Sequence, residues 1–175
     1  MTLIVNLFGG PGCGKSTTAA DIFAKLKWED INCELVTEYA KDKVWEGNFS
    51  TLDDQLYVFA KQHHRQWRLL NKVDIIITDS PLLLSIIYDH AKSAVLHKLV
   101  LQRFNTFDNL NFVIDRQKSY QAAGRLQTFE GALEKDRQIK DILDQQNIPY
   151  QIVEGKTEKI SGMISVIKDR LKEMK

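Results

Sequence analysis

The sequence predicts an α/β protein of three layers, with a central, mainly parallel five-stranded sheet flanked by helices. Short apolar runs, most of them rich in Val or Ile, alternate along the chain with longer amphipathic stretches. Parallel strands produce that alternation, because a parallel neighbour is reached only through a dozen or more connecting residues. Glycines also crowd the first strand–helix junction, at the sheet edge where such folds bind ligands. The 175 residues fit one domain spanning 1–175, long enough to bury a core.

The elements follow in order. "LIVNLF", Leu3–Phe8, is apolar on both sides and reads as a buried strand, followed by a helix over Lys15–Trp28. The second strand is Glu34–Thr37. A helix over Asp53–Asn71 comes next, with Thr51 and Asp54 spaced as a capping box. Asp74–Thr78 is the third strand. Ser80-Pro81 then supplies an N-cap and a first-turn proline for a helix over Leu82–Asn105, broken near Lys92–Ser93. Phe112–Asp115 is the fourth strand, and the irregular stretch Arg116 to Phe129 follows it. A helix over Glu130–Gln146, a strand over Tyr150–Val153 and a helix over Glu158–Glu173 complete the pattern. There is no internal repeat and no low-complexity tract.

Composition narrows the function classes. Hydrophobic content of 43% and charged content of 27% are those of a globular chain. The net charge of +1 sets up no long-range field for a nucleic-acid partner, although a local basic patch is compatible with it. Cys13 and Cys33 form no repeated spacing, which argues against a disulfide framework or a zinc site. "MTLIVNLF" has neither the basic start nor the cleavage site of a secretory signal, and no apolar run is long enough to span a membrane. A cytoplasmic location is the expectation.

The glycine cluster carries the chemistry. "LFGGPGCGKSTTAA" satisfies G-x-x-x-x-G-K-[ST] with Gly9, Gly14, Lys15 and Ser16. Glycines let successive backbone N–H groups converge on an anion at the positive end of the next helix. Gly10, Gly12, Cys13, Gly14, Lys15, Ser16 and Thr17 are the expected nucleotide-binding residues. Lys15 would reach the β- and γ-phosphates of ATP, and the Ser16 hydroxyl would hold Mg²⁺. A glycine-rich turn with a chance lysine is the bland alternative. The strand before the cluster and the helix after it weigh against that. Lys15 is expected to face solvent when no anion is bound. A thiol at a helix N-terminus is sometimes reactive, but Cys13 reads more simply as a small side chain whose backbone N–H matters.

"VDIIITDSP" places Asp79 at the carboxyl end of a strand, beside the cradle, where it would hold a magnesium-bound water or Ser16 itself. Its structural alternative is the start of the Ser80-Pro81 turn. "NKVD", Asn71–Asp74, matches a guanine-reading tetrapeptide but precedes its strand, at the wrong end of the sheet. Transfer of a phosphoryl group to an acceptor needs a base and additional positive charge. Glu38, just past the second strand, is the candidate base, against the alternative of a first-turn glutamate favoured by the helix dipole. Arg116 and Arg125 lie in the irregular segment, and the glycine beside Arg125 suits a lid over about 116–129. Solvated surface charge is their alternative.

Other groups weigh less. His63 and His64 are adjacent on a helix and cannot form a metal pair on one face. Trp45, Tyr57, Phe59 and Trp67 are either core or the wall of an acceptor pocket. "EKDRQIKD" reads as a solvated helix face from which Arg137 could reach toward the lid.

These features together resemble the P-loop nucleoside and nucleotide kinase superfamily, and more narrowly the ATPase/kinase family related to the nicotinamide riboside kinases, with its small phage-encoded members. The resemblance covers most of the chain. It rests on "GGPGCGKSTTAA", "TEYAKD", "IIITDSP" and the stretch ending "GRLQT". It implies a P-loop fold, ATP and Mg²⁺ as cofactors, an acid near the acceptor at Glu38 and an arginine lid at Arg125. "GGPGCGKS" lacks the acidic, serine-rich cradle of the riboside kinases and looks more like nucleotide or polynucleotide kinase loops. The acceptor therefore stays open. A nucleoside, nucleotide or riboside fits the near-neutral charge, while a nucleic-acid kinase and an acceptor-free switch ATPase remain the alternatives.

Overall fold

The computed structural model describes residues 1–117 and 128–174. Its elements are β1 (Leu3–Phe8), α1 (Lys15–Trp28), β2 (Cys33–Val36), α2 (Tyr39–Trp45), α3 (Ser50–Asp53), α4 (Gln55–Trp67) and β3 (Ile75–Thr78). They continue with α5 (Leu84–Ile87), α6 (Ala94–Phe104), β4 (Asp108–Asp115), α7 (Phe129–Gln145), β5 (Gln151–Glu154) and α8 (Thr157–Glu173). The five strands lie in the order β2-β3-β1-β4-β5 and every pairing is parallel. The expected three-layer P-loop architecture is present, with the sheet wholly rather than mainly parallel.

Alternation along β1 assigns the two faces. Leu3, Val5 and Leu7 pack with Ile22 and Leu26 of α1 and with Ile160, Met163 and Ile167 of α8. Phe8 turns to the opposite face, against Phe59 of α4, Val100 and Phe104 of α6 and Ile139 and Leu143 of α7. The inner strands β1 and β3 are thus covered on both sides, which is why their runs read as continuous apolar stretches, whereas edge strand β5 leaves Ile152 exposed.

Several boundaries move, each for a local reason. β4 begins at Asp108, before the expected Phe112, because the polar "DNLN" pairs with β1 from Leu3 onward. Its asparagines are tied inside: Asn6 Nδ2 donates to Asn109 Oδ1 at 2.8 Å and to Asn111 Oδ1 at 3.0 Å. The expected helix Asp53–Asn71 is instead α3 and α4, and Asp54 is the N-cap that accepts from the Tyr57 N–H at 3.1 Å. Thr51 donates to Asn48 Oδ1, so no capping box forms. Ser80-Pro81 opens a run of tight turns, with the Leu84 N–H on the Pro81 carbonyl at 3.0 Å, rather than a long helix. The predicted break holds: Ser93 caps α6 by accepting from the Leu96 N–H. α2 is missing from the expected order of elements; only the first-turn alternative for Glu38 hinted at it, and Glu38 is its N-cap.

Candidate functional site

The chain leaves β1 at Phe8 and turns at once. Gly9 has φ 141°, and a Cβ there would lie 2.5 Å from Cys13 Sγ, so only glycine fits. Gly14, the N-cap of α1, sits at φ 108°. The loop between them presents the N-terminus of α1 at the carboxyl edge of the sheet. Cys13 is fully buried beneath Gly9, so its side chain is core; Cys33 is also buried, which pushes its thiol up.

Lys15 does not face solvent freely. It is half-buried, and its Nζ donates to the carbonyls of Gly9 at 2.7 Å and Gly10 at 3.0 Å. The ammonium has three donors, and the loop's own carbonyls take two of them. Ser16 is exposed, and its Oγ donates to Asp79 Oδ2 at 2.5 Å. Thr17 is exposed beside it.

Asp79 is brought there by register. It directly follows β3, whose Thr78 pairs with Asn6 of β1. Asp79 is 3% exposed, and its Oδ1 is buried with no hydrogen-bond partner among the described residues. A buried carboxylate oxygen without a partner is costly unless a cation or donor completes it. Ser16 Oγ and Asp79 therefore form a hard-oxygen pair suited to Mg²⁺ held jointly with phosphates. Among the described residues no three His, Cys, Asp or Glu side chains gather to cage a metal by themselves.

Glu38 comes from the next strand over. Val36 of β2 pairs with Thr78, and Glu38 follows as the N-cap residue of α2 without making a side-chain cap bond. Burial raises its carboxyl above the ordinary value of 4.5; the Lys15 ammonium opposes the shift and the Asp79 carboxylate adds to it. Lys15, Ser16, Asp79 and Glu38 thus converge past the ends of three adjacent strands.

The two arginines part company. Arg125 lies outside the described residues, as does most of the expected lid. Arg116 is anchored: Nε and Nη2 donate to Asp136 Oδ2 at 3.1 and 2.8 Å, and Nη1 donates to the Pro11 carbonyl at 2.9 Å. Asp136 Oδ1 in turn accepts from the Gly10 N–H at 2.5 Å. One carboxylate on α7 therefore braces both the loop and Arg116, and it uses the N–H of Gly10. A Cβ on Gly10 would meet the Ala132 carbonyl at 2.5 Å, so α7 packs directly on the loop.

Asp136 went unnoticed inside a charge-rich stretch. A signal existed: it falls four residues after Ala132 and three before Ile139, on the buried stripe of α7. Gly155 is another omission, with a would-be Cβ 3.0 Å from the Cys13 carbonyl. Arg137 pairs with Glu134 on its own helix. Phe59 is core, whereas Trp45, Tyr57 and Trp67 are exposed. His63 lies between Phe59 and Phe107, and burial lowers its imidazole. No helix among the described residues is long and apolar enough to cross a membrane.

A family model described as an AAA domain matches residues 4–159. No curated protein matches the sequence. Among solved structures, deoxyadenosine kinase from M. mycoides with bound dATP is similar at a TM-score of 0.55 and 21% identity, covering 97% of this chain and 99% of that one. The likeness is one of fold, and it bears out the resemblance to P-loop kinases at that level.

Proposed function

This chain belongs to the AAA domain family, and we propose that it is a phosphotransferase that moves the γ-phosphate of ATP to a hydroxyl or phosphate of a nucleoside, nucleotide or related riboside. The observation that carries this reading is the convergence of Lys15, Ser16 and Asp79 with a half-buried carboxyl, Glu38, whose affinity for protons is raised. A phosphate-binding loop alone serves switches and transporters equally. A neighbouring carboxyl poised to accept a proton is what an acceptor hydroxyl requires.

The roles follow from position. The loop from Gly12 to Thr17 cradles phosphates with its N–H groups, and Lys15 exchanges its carbonyl partners for phosphate oxygens. Asp79 and the Ser16 hydroxyl would hold Mg²⁺, whose charge would offset that of the β- and γ-phosphates. Glu38 orients the acceptor and takes its proton. Arg116 acts through the loop it braces, and Arg125, on a lid over about 116–129 of this one domain, adds charge in the transition state. The kinship in fold with a deoxyadenosine kinase that binds dATP supports a nucleoside-type acceptor over nucleic acid.

The test is a screen with γ-labelled ATP and Mg²⁺ against nucleosides, nucleotides, and single- and double-stranded DNA. A small-molecule acceptor that takes label and raises turnover above the water background is the expected result. Label on DNA alone would move the acceptor to nucleic acid. Turnover that no acceptor stimulates would leave an ATPase switch.

A further inference from the structure

The buried stripe of α4 carries glutamines where apolar residues would serve: Gln55, Gln62 and Gln66 lie beside Val58 and Phe59. Burying an amide is unfavourable unless it is hydrogen-bonded. Gln62, 3% exposed, uses both ends of its amide. Its Oε1 accepts from the Tyr39 N–H at 2.9 Å, and its Nε2 donates to the Thr37 carbonyl at 3.3 Å. The two bonded groups flank Glu38. A single side chain therefore grips the backbone on both sides of that residue, as a neighbouring strand would, where β2 has ended and α2 begins.

The grip matters because, among the described residues, no hydrogen bond fixes the carboxyl itself. Glu38 makes no side-chain cap bond, and its carboxylate accepts no hydrogen bond among the described residues. Its aim depends on where its Cα is held. The Tyr39 N–H is one of the first-turn donors that α2 cannot satisfy itself, and Gln62 satisfies it. Arg65 Nη1 offers the Thr37 carbonyl a second donor at 3.1 Å, so loss of Gln62 loosens the turn without stripping it.

We propose that Gln62 is the positioning residue for Glu38, an inference that rests on Glu38 serving as the acceptor's base. The experiment supplies γ-labelled ATP, Mg²⁺ and a mixture of the four deoxynucleosides and their 5′-monophosphates as probe acceptors. It compares the parent with Glu38→Gln, Gln62→Met, Gln62→Glu and the Glu38→Gln/Gln62→Met pair. Gln62→Met preserves volume and should lower kcat for transfer by about 10- to 100-fold, the scale of a small misplacement, with KM for ATP unchanged. Gln62→Glu keeps an acceptor for the Tyr39 N–H and should recover part of the loss. Should Gln62→Met fail to melt cooperatively, Gln62→Glu carries the comparison. In the Glu38→Gln background Gln62→Met should cost nothing further, because the two act as one unit. Additive losses, or full transfer in Gln62→Met beside an impaired Glu38→Gln, overturn the role of Gln62 alone. Full transfer in Glu38→Gln, or label on none of the probes, overturns the base assignment and this inference together.

Discussion

Lys15 and Glu38 are the two residues at which charge decides the outcome. Lys15→Ala removes an ammonium that donates to the carbonyls of Gly9 and Gly10. The substitution should leave the circular-dichroism spectrum unchanged and cut phosphoryl transfer by on the order of 10²–10³-fold, the loss expected when a transition-state charge partner goes. Turnover near the parent's would remove the central claim. Glu38→Gln keeps size and hydrogen bonding but not basicity. Transfer to an acceptor should fall by roughly 10²–10⁴-fold, with slow hydrolysis of ATP much less affected. The same variant has a signature in stability. Because burial raises the Glu38 carboxyl in the folded protein, the fold favours the protonated form. Its contribution is fully present below the unfolded-state value and is lost as pH rises through the folded one. The glutamine variant should therefore match the parent in acid and out-melt it at neutral pH. Thermal melts across that range check the sign, and equal melting temperatures at neutral pH would mean an unshifted carboxyl.

Among the elements, α7 bears most on the phosphate loop. Arg116 opens the expected lid and Asp136 follows it in sequence, and the two meet at the loop with side chains 10% and 23% exposed. Asp136→Asn leaves one oxygen to serve both the Gly10 N–H and the arginine and removes the charge. Unfolding free energy in urea should fall by about 2 kcal/mol, the scale of hydrogen bonds to a charged group. ATP titration should show weaker binding, because the loop's second glycine loses its anchor. Unchanged binding would make the brace purely a matter of stability. The same helix shows where sequence stops being informative. β1, β3 and the loop are legible because their patterns are local: an apolar run, then glycines at fixed spacing. α2 has only seven residues and takes its N-terminal partner from Gln62, which is distant in sequence. The first half of β4 is masked by asparagines whose partners lie in β1. Asp136 and Gln62 look like surface residues in any window of the chain. They acquire meaning only once another element packs on them.

As a whole molecule, the protein should report ligand through its stability. ATP with Mg²⁺ at a hundred times its dissociation constant should add about 2.7 kcal/mol. That raises the melting temperature by about 5–10 °C for a domain of this size. Lys15→Ala should abolish most of that increment, and a full shift in that variant would place nucleotide binding elsewhere. The strand order has a further implication. β1 lies at the centre of the sheet, yet its two partners, Ile75–Thr78 and Asp108–Asp115, come much later in the chain. A growing polypeptide therefore carries "LIVNLF" with neither edge paired until Ile75–Thr78 is made, and with one edge open until Asp108–Asp115 follows. Such a segment is prone to cross-pair between chains at high expression. Slower synthesis at lower temperature should favour soluble protein, since every native pairing of β1 is long-range and slow to find.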